Sequence, residues 1–369
     1  MVQINFVGDF KCDNVANLKF DDSLKNCLSS SNLNVINFEA PIRTNKSGPI
    51  KKSGPHLFND VLSPSILMKA GFGLFSLANN HVNDYGEDGI KETINSFPQK
   101  ATCGAGTWSQ AYRPIIKNIG GYKIGFISVS HHEFGVLYDE AYNLNEYGCA
   151  WMLHPAVDEI IIETKKEVDY LFILPHCGME HEFFPMPEVK TLYRHWIRMG
   201  ADGIMASHPH TPQPWEIYEG KPIVYSMGNF CFDSLKNTPP HYWYWGLMAS
   251  VTIESEALNL IVQYIHYNEN EGIVGIKNDD KEFNEHMNNI LNIFNNHDEY
   301  IRNVSNQCLK YESIFNVDDL SVKHYLKRLA KRLLGRSESD KITIINRLKC
   351  ESHRWAIIRI LENKIVHSL

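Results

Sequence analysis

Five short apolar runs, each followed by residue types that bind metals, constrain this sequence more than any other feature. The runs cover residues 3–7, 34–38, 72–77, 170–174 and 201–206, and their length and content are typical of buried β-strands. In layered α/β sheets, binding sites form just beyond the carboxyl ends of the strands. The pattern therefore predicts an α/β fold in which five strand ends contribute to one pocket.

The residues that follow these runs predict a metal centre. The last run leads to His208-Pro209-His210, and because side chains alternate along an extended strand, we expect the two imidazoles to converge on one point. Each residue alone also suits a turn, a helix cap, a loop or a core position, but five coincidences at strand ends favour a metal site. The other four runs end at Asp9, at Glu39, at Asn80 with His81, and at His176.

The same stretches resemble a known family, the CapA proteins of poly-γ-glutamate and capsule biosynthesis, which belong to the calcineurin-like metallophosphoesterase superfamily. The resemblance covers roughly residues 1–270 in order and spacing. The motifs that carry it are Val7-Gly8-Asp9, Asn37-Phe38-Glu39 with Pro41, Asn79-Asn80-His81 with Asp84, His176-Cys177-Gly178 with Glu180, His208-Pro209-His210 with Gln213, and Tyr225 to Phe230.

The resemblance implies a four-layer α/β/β/α sandwich with a metal centre at the strand ends. It also implies that His81 protonates the leaving group. Asp84, three residues later, has the spacing to orient the His81 ring, although capping of the following helix is an equal alternative. The implied metal ligands are Asp9, Glu39, Asn80, His176, His208 and His210. Their donor types suit one or two ions of manganese, zinc or iron better than calcium.

One departure from the phosphoesterase pattern concerns the first motif. Related enzymes begin Asp-x-His, with both residues on metal, whereas this chain has Asp9-Phe10-Lys11. A protonated Lys11 cannot replace a neutral imidazole ligand, so one metal position is expected to be weak or absent. His131 and His132 follow another strand-like run, residues 124–129. They are candidates either for a substitute metal ligand or for surface or substrate contacts.

Four residues near these motifs are predicted substrate contacts: Lys11, His132, Glu180 and His181. Lys46, Lys51 and Lys52 lie in a loop rich in Ser, Gly and Pro, which is either solvated or reaches over the pocket to an anionic substrate.

The leading functional hypothesis is a metal-dependent hydrolase that cleaves a phosphoester of an anionic sugar or polymer precursor by metal-activated water. The resemblance places this activity in capsule or exopolysaccharide, or poly-γ-glutamate, biosynthesis. Two alternatives stay open. The same centre also suits amide or ester hydrolysis, and the altered Asp-x-His motif also suits a non-catalytic binding or assembly factor for surface-polymer synthesis.

Cysteine usage and the chain start predict a cytoplasmic protein. The eight cysteines are scattered and form no C-x-x-C pair, which indicates neither a disulfide framework nor a zinc knuckle. Strand-like residues begin at Val2, and neither a leader-like segment nor an apolar run of membrane-spanning length is present.

The carboxyl-terminal part differs in charge and pattern. We expect a domain over residues 1–272 and a basic helical extension over 273–369, because residues 321–369 hold 12 Lys and Arg against 4 Asp and Glu. Such a helix suits docking on the main domain, self-association or peripheral binding to the inner face of a membrane. Nucleic-acid binding is not expected. The apolar stripe consists of Tyr325, Leu326, Leu329, Leu333 and Leu334.

Overall fold

Two β-sheets packed face to face form the centre of the computed structural model, which describes residues 1–43, 45–46, 48–138, 146–233, 239–254, 257–315 and 338–368. Its strands are β1 (Val2–Lys11), β2 (Lys19–Phe20), β3 (Leu33–Phe38), β4 (Phe72–Ser76), β5 (Thr102–Cys103), β6 (Ala105–Thr107), β7 (Ile115–Ile119), β8 (Tyr122–Ser130), β9 (Val136–Leu137), β10 (Tyr147–Ala150), β11 (Tyr170–His176), β12 (Gly203–Met205), β13 (Trp215–Tyr218), β14 (Lys221–Val224), β15 (Asn229–Phe232), β16 (Trp245–Glu254), β17 (Ala257–Asn268) and β18 (Ile273–Ile276).

Helices cover the outer faces of both sheets and form the carboxyl-terminal part. They are α1 (Asp22–Ser30), α2 (Ser63–Lys69), α3 (Gly86–Asn95), α4 (Trp108–Ala111), α5 (Ala156–Glu167), α6 (Pro187–Met199), α7 (Lys281–Asn295), α8 (His297–Leu309), α9 (Glu312–Phe315), α10 (Glu338–Lys349) and α11 (Glu351–Ser368), with a 3-10 helix at Val15–Asn17.

Parallel pairing at the centre of each sheet aligns the strand ends. The nine-stranded sheet has the order β2-β18-β17-β16-β1-β3-β4-β5, with β15 also paired to β1. The six-stranded sheet has the order β13-β14-β12-β11-β8-β7, and β6, β10 and β9 form a small third sheet. Because β1, β3 and β4 are parallel in one sheet and β8, β11 and β12 in the other, the carboxyl ends of each set lie together.

The main core lies between the two large sheets. Phe6 of β1 contacts Phe172 of β11, with ring centroids 5.1 Å apart. On the outer face of the nine-stranded sheet, α1, α2 and α3 bury Leu24, Leu67 and Ile90. On the outer face of the six-stranded sheet, α5 and α6 bury apolar side chains that include Ile161 and Trp196. This arrangement confirms the predicted four-layer α/β/β/α sandwich.

The helical extension begins later than the sequence predicted. Residues 273–276 form β18, which pairs with β17 and β2, because its backbone groups complete the ladder of the nine-stranded sheet. The predicted boundary at residue 272 therefore falls inside a β-hairpin. α7 begins at Lys281, where the side chain of Asp280 accepts a hydrogen bond from the Phe283 backbone N–H at 3.0 Å.

The described carboxyl-terminal helices pack on the main body of the fold. Tyr300 of α8 and Ile360 of α11 are buried in the main core. Gln307 donates a hydrogen bond to the Phe184 carbonyl at 2.8 Å, and Arg359 forms an ion pair with Glu188 at 2.8 Å. The predicted basic helix with its apolar stripe at 325–334 lies outside the described residues, so its docking, self-association or membrane binding stays a prediction. Within the described ranges, no helix is both long enough and apolar enough to cross a bilayer.

Candidate metal centre

The six predicted ligands all lie at the edge where the strand ends of both sheets meet. Each is at most 4% exposed: Asp9, Glu39, Asn80, His176, His208 and His210. Asp9 is in β1, Glu39 follows β3, and Asn80 follows β4. His176 ends β11, while the two remaining histidines follow β12. The tertiary structure therefore brings together residues that are about 200 positions apart in the sequence.

Asp9 is held at an irregular point of β1. The register of β1 against β3 shifts between Val7 and Asp9, and the Asp9 backbone N–H donates to the Gly228 carbonyl at 2.9 Å. A Cβ on Gly8 would lie 1.8 Å from that same carbonyl oxygen, so this close approach requires glycine. The Asp9 carboxylate accepts hydrogen bonds from Asn37 Nδ2 at 2.7 Å and from the His208 backbone N–H at 3.2 Å.

Asp9, Glu39 and His210 form one compact set of donor atoms. One ligand atom from each lies within 4.8 Å of the others. His210 Nδ1 is 3.5 Å from Asp9 Oδ2, and His210 Nε2 is 3.7 Å from Glu39 Oε1. Asn229 Oδ1 lies 2.9 Å from His210 Nδ1, while Asn229 Nδ2 donates to the Trp243 carbonyl. Because Asn229 Oδ1 accepts a hydrogen bond from His210 Nδ1, the proton of the His210 ring stays on Nδ1. The lone pair of His210 Nε2 is then available on the side of Glu39.

The other three predicted ligands form a second contact group beside the first. His176 Nε2 is 3.0 Å from Asn80 Oδ1 and 3.1 Å from His208 Nδ1. Asn37 Nδ2 lies 3.3 Å from His176 Nδ1 and also bonds Asp9, so it joins the two groups. Asn37 was not among the predicted site residues, because an Asn inside a buried strand has no spacing signal of its own.

His208 and His210 reach the centre through a turn, so the predicted extended alternation was wrong. β12 ends at Met205, and the φ angles of His208 and His210 are 107° and 58°. Such positive φ values are strained for residues with a Cβ, and they persist where the surrounding structure holds them. The two rings lie 6.0 Å apart, and each faces a different group of partners.

The electrostatics of the site fit a bound dication. Both Glu39 carboxylate oxygens are buried, and neither has a hydrogen-bond partner among the residues that the structure describes. Burial and the nearby charge of Asp9 raise the pKa of Glu39 well above its usual range, and burial raises the pKa of Asp9 to about 7. Burial also lowers the pKa of His210 to about 3, so its imidazole is neutral and available as a ligand. Two buried carboxylates beside neutral imidazoles supply negative charge and lone pairs that a metal ion would neutralise.

His81 is positioned by Asp84 at the rim of this centre. His81 Nδ1 lies 2.7 Å from Asp84 Oδ2, and His81 Nε2 is 4.0 Å from Glu39 Oε1. Burial lowers the pKa of His81, although the charge of Asp84 acts in the opposite direction. α3 has no side-chain cap, so the contacts favour the ring-orienting interpretation of Asp84 over helix capping.

Lys52 completes this cluster, so the alternative of a solvated loop was wrong at this position. The Lys52 side chain is 2% exposed, forms an ion pair with Asp84, and lies 3.0 Å from His81 Nδ1. Burial alone would raise the pKa of Asp84, but His81 and Lys52 together hold it below its usual value. The loop sequence does not distinguish Lys52 from its neighbour Lys51, because the burial of Lys52 depends on the fold around Asp84.

Substituting Lys52→Met is expected to lower the free energy of unfolding by about 3 kcal/mol, because it leaves the buried Asp84 carboxylate without its cation. Urea unfolding followed by circular dichroism measures this loss. Lys51→Met is the matched control, since Lys51 is exposed, and its effect should stay within about 0.5 kcal/mol. Equal losses in both variants would show that the Lys52 ion pair adds nothing to stability.

The four predicted substrate contacts lie in different surroundings. Lys11 Nζ forms an ion pair with Asp13 at 2.7 Å, and the Lys11 side chain is 1% exposed. Glu180 is exposed, and the His181 ring lies 5.6 Å from Trp243 and 6.2 Å from His210. His181 is therefore adjacent to the centre. The substrate-binding roles of all four residues stay predictions.

His131 and His132 are buried, so the surface interpretation of this pair was wrong. The His131 ring lies 4.3 Å from the His208 ring, but the nitrogen contacts of His131 are to residues outside the six predicted ligands. His132 packs against Trp151, with ring centroids 5.8 Å apart, and its backbone N–H donates to Glu351 Oε2 at 2.6 Å. The start of α11 covers both histidines, which local sequence does not show.

A match to a family model shows which protein family this chain belongs to. The model described as "Bacterial capsule synthesis protein PGA_cap" matches residues 4–234, a span that contains all six predicted ligands and Asn229. The chain belongs to this capsule synthesis family. The resemblance seen in the sequence is thereby confirmed at family level.

Curated relatives agree with this assignment. The chain is 34% identical over 208 residues to the PGA biosynthesis protein CapA of Bacillus subtilis, covering 53% of this chain and 52% of the relative. It is 28% identical over 207 residues to the capsule biosynthesis protein CapA of Bacillus anthracis, covering 53% and 49%. A "Probable polyglutamine synthesis accessory protein" of Mycobacterium tuberculosis is 26% identical over 169 residues, covering 43% and 44%. The chain spans about half the length of the curated relatives it matches.

Proposed function

We propose that this protein is a metal-dependent hydrolase of surface-polymer biosynthesis that cleaves a phosphoester of an anionic sugar or polymer precursor. One observation carries the proposal: the buried Glu39 carboxylate, which has no hydrogen-bond partner among the described residues, lies close to Asp9, His210 and His81. Glu39 Oε1 is 3.7 Å from His210 Nε2 and 4.0 Å from His81 Nε2. A cation held beside Glu39 would neutralise the carboxylates, and the adjacent imidazole is a proton donor of the right kind for a leaving oxygen. The names of the relatives support the biosynthetic setting.

The donor set favours manganese, zinc or iron, as one or two ions. Asp9, Glu39 and His210 would hold one ion, and Asn80, His176 and His208 lie beside them for the same or a second ion. When bound, such a dication makes hydroxide available from water near neutral pH and polarises a phosphoryl oxygen. Lys11 stands where related enzymes have the histidine of the Asp-x-His motif, and it forms an ion pair with Asp13. This argues that one of two metal positions has fewer ligands in this chain.

The chain's own proton donor is His81. Its Nδ1–H donates to Asp84, which fixes the ring with Nε2 directed towards Glu39 and the centre. A proton held on Nε2 can pass to the oxygen of a departing group, while Asp84 stabilises the charged imidazole. Lys52 holds Asp84 in place from the other side through its ion pair. Asp84 and Lys52 are therefore positioning residues for His81.

Metal content and turnover measured on the same preparations test the proposal. We expect one or two equivalents of manganese, zinc or iron by elemental mass spectrometry, with turnover of phosphomonoesters or phosphodiesters. His208→Ala/His210→Ala should lose both metal and turnover while keeping its circular dichroism spectrum. His195→Ala is the matched control, since His195 pairs with Asp158 on the outer helices α5 and α6. A protein that hydrolyses phosphoesters equally well without its metal, or in the double variant, would contradict the assignment.

A non-catalytic binding or assembly role is the second candidate. Lys11 in place of a ligand histidine favours it, and one relative is named an accessory protein. This candidate predicts a metal-loaded protein that turns over neither phosphoesters nor amides and esters. Turnover confined to γ-glutamyl amides or esters would instead favour the amide or ester hydrolase.

A further inference from the structure

A second cluster of metal-binding side chains lies beside the main centre. It consists of His131 and Glu133, just after β8, and Cys350, between α10 and α11. One donor atom from each residue lies within 4.8 Å of the others. None of the three is among the six predicted ligands, and Cys350 lies beyond the part of the chain that the family model matches.

Two of the donors of this cluster, His131 and Cys350, are buried, and one donor atom lacks a hydrogen bond. His131 is 1% exposed, and within the described part of the chain its buried Nε2 atom has no hydrogen-bond partner. His131 Nε2 lies 3.7 Å from Glu133 Oε1, and Cys350 Sγ lies 3.8 Å from His131 Nδ1. Two donors bound to one tetrahedral zinc ion lie about 3.3–3.8 Å apart, given metal–ligand distances of about 2.0–2.3 Å. Glu133 and Cys350 contact different nitrogens of the His131 ring, and a single ion binds only one of them. One of these two side chains must therefore turn towards the nitrogen that binds, starting from donor atoms that already lie within 4.8 Å of one another.

Contacts around Cys350 hold it at this place. The next residue, Glu351, is fully buried, accepts from the His132 backbone N–H at 2.6 Å, and accepts from Trp151 Nε1 at 2.8 Å. Ser352 Oγ lies 3.3 Å from His131 Nδ1. These bonds fix the junction of α10 and α11 on the six-stranded sheet, so the thiol is presented to His131 and Glu133 by the fold itself.

We propose that His131, Glu133 and Cys350 form a separate zinc site that fastens the carboxyl-terminal helices to the main body. A thiolate, an imidazole and a carboxylate are the three zinc ligand types in proteins, and three protein ligands leave a fourth position for water. Zinc would take the Cys350 thiolate, and the thiol proton would pass to solvent. The site does not depend on the hydrolase proposal, since it shares no ligand with the main centre.

Cobalt titration of the metal-free, full-length protein tests this site, because a cobalt–thiolate bond gives a charge-transfer absorption that nitrogen and oxygen ligands do not. We expect this absorption in the wild type, its loss in Cys350→Ser, and its retention in Cys308→Ser, a matched change of another buried cysteine on α8. Folded Cys350→Ser should also bind one equivalent less zinc than the wild type. An absorption that survives in Cys350→Ser, or is absent from the folded wild type, overturns the proposal.

A second variant keeps the test decisive if Cys350→Ser does not fold. Glu133→Gln preserves size and hydrogen bonding but removes the anionic ligand, so cobalt affinity at the thiolate band should fall by at least about tenfold. Glu163→Gln, an exposed position on α5, is its matched control and should keep the wild-type affinity. Unchanged affinity in Glu133→Gln would rule out the three-residue site.

Discussion

Replacing Glu39 with Gln is expected to weaken metal binding at the main centre by at least about 100-fold, and to make the metal-free protein more stable. Glu39 is fully buried beside a second buried carboxylate at Asp9, and neither of its oxygens is hydrogen-bonded to a described residue. The neutral amide of Gln keeps the shape of the Glu39 side chain. It removes the negative charge that would bind the metal and the repulsion between that charge and Asp9. We expect the free energy of unfolding of the metal-free protein at pH 8 to rise by on the order of 3 kcal/mol.

The pH dependence of the free energy of unfolding is a second test of the Glu39→Gln prediction. A buried carboxyl whose folded pKa is raised keeps its proton in the folded chain, while the unfolded chain ionises near pH 4. Stability of the metal-free wild type therefore falls as the pH rises from about 4 through the Asp9 pKa of about 7. Glu39→Gln should show a shallower fall, because it removes a carboxyl whose pKa is raised by burial and by the charge of Asp9.

Isothermal titration with manganese or zinc and urea unfolding at several pH values measure these two effects. Glu163→Gln on the surface of α5 is the control and should leave both unchanged. If Glu39→Gln kept wild-type metal affinity, or lowered the stability of the metal-free protein, Glu39 would not be a ligand held at the expense of stability.

Replacing His81 with Ala is expected to lower kcat for phosphoester cleavage by about 10²–10⁴-fold, the usual contribution of a general acid. His81 Nε2 faces Glu39 at 4.0 Å, but His81 is outside the predicted ligand set, so the metal content should stay at the wild-type value. The loss should be small for a substrate with a nitrophenolate leaving group, because that group departs without protonation. Steady-state kinetics on good and poor leaving groups, with metal content measured in parallel, test this role.

Asp84→Asn separates positioning from proton donation. Because the charge of Asp84 raises the pKa of His81 against the effect of burial, its removal should move the alkaline limb of the pH–kcat profile to lower pH. The His81→Ala profile should lose that limb. A His81→Ala enzyme with wild-type kcat on poor leaving groups would exclude His81 as the general acid.

Local pattern predicted much of this fold. Buried strands showed in the sequence as short apolar runs, and the residue after each run is a local property of the chain. The parallel strand ends then placed Asp9, Glu39, Asn80 and His176 together, as the α/β pattern indicates. The hairpin at 268–273 was missed, because the short strand β18 is stabilised by its partners β17 and β2 rather than by its own residues.

Contacts between distant segments were beyond prediction. Lys52 resembles its loop neighbours until Asp84 is folded against it, and Asn37 is an ordinary strand residue until Asp9 and His176 lie on either side. The turn at His208 and His210 depends on strain that the surrounding structure sustains. None of these features leaves a periodic or spacing signal.

The strand ends, the ligand types at those ends and the family were all predictable from the sequence, because each depends on a few consecutive residues. Which side chains are buried, which described carboxylates lack a hydrogen-bond partner and which thiol lies near which imidazole depend on how distant segments pack. Glu39 and Cys350 show the difference most clearly. Burial and neighbouring charge act over distances in space, and residues 131 and 350 become neighbours only when α11 packs on the six-stranded sheet.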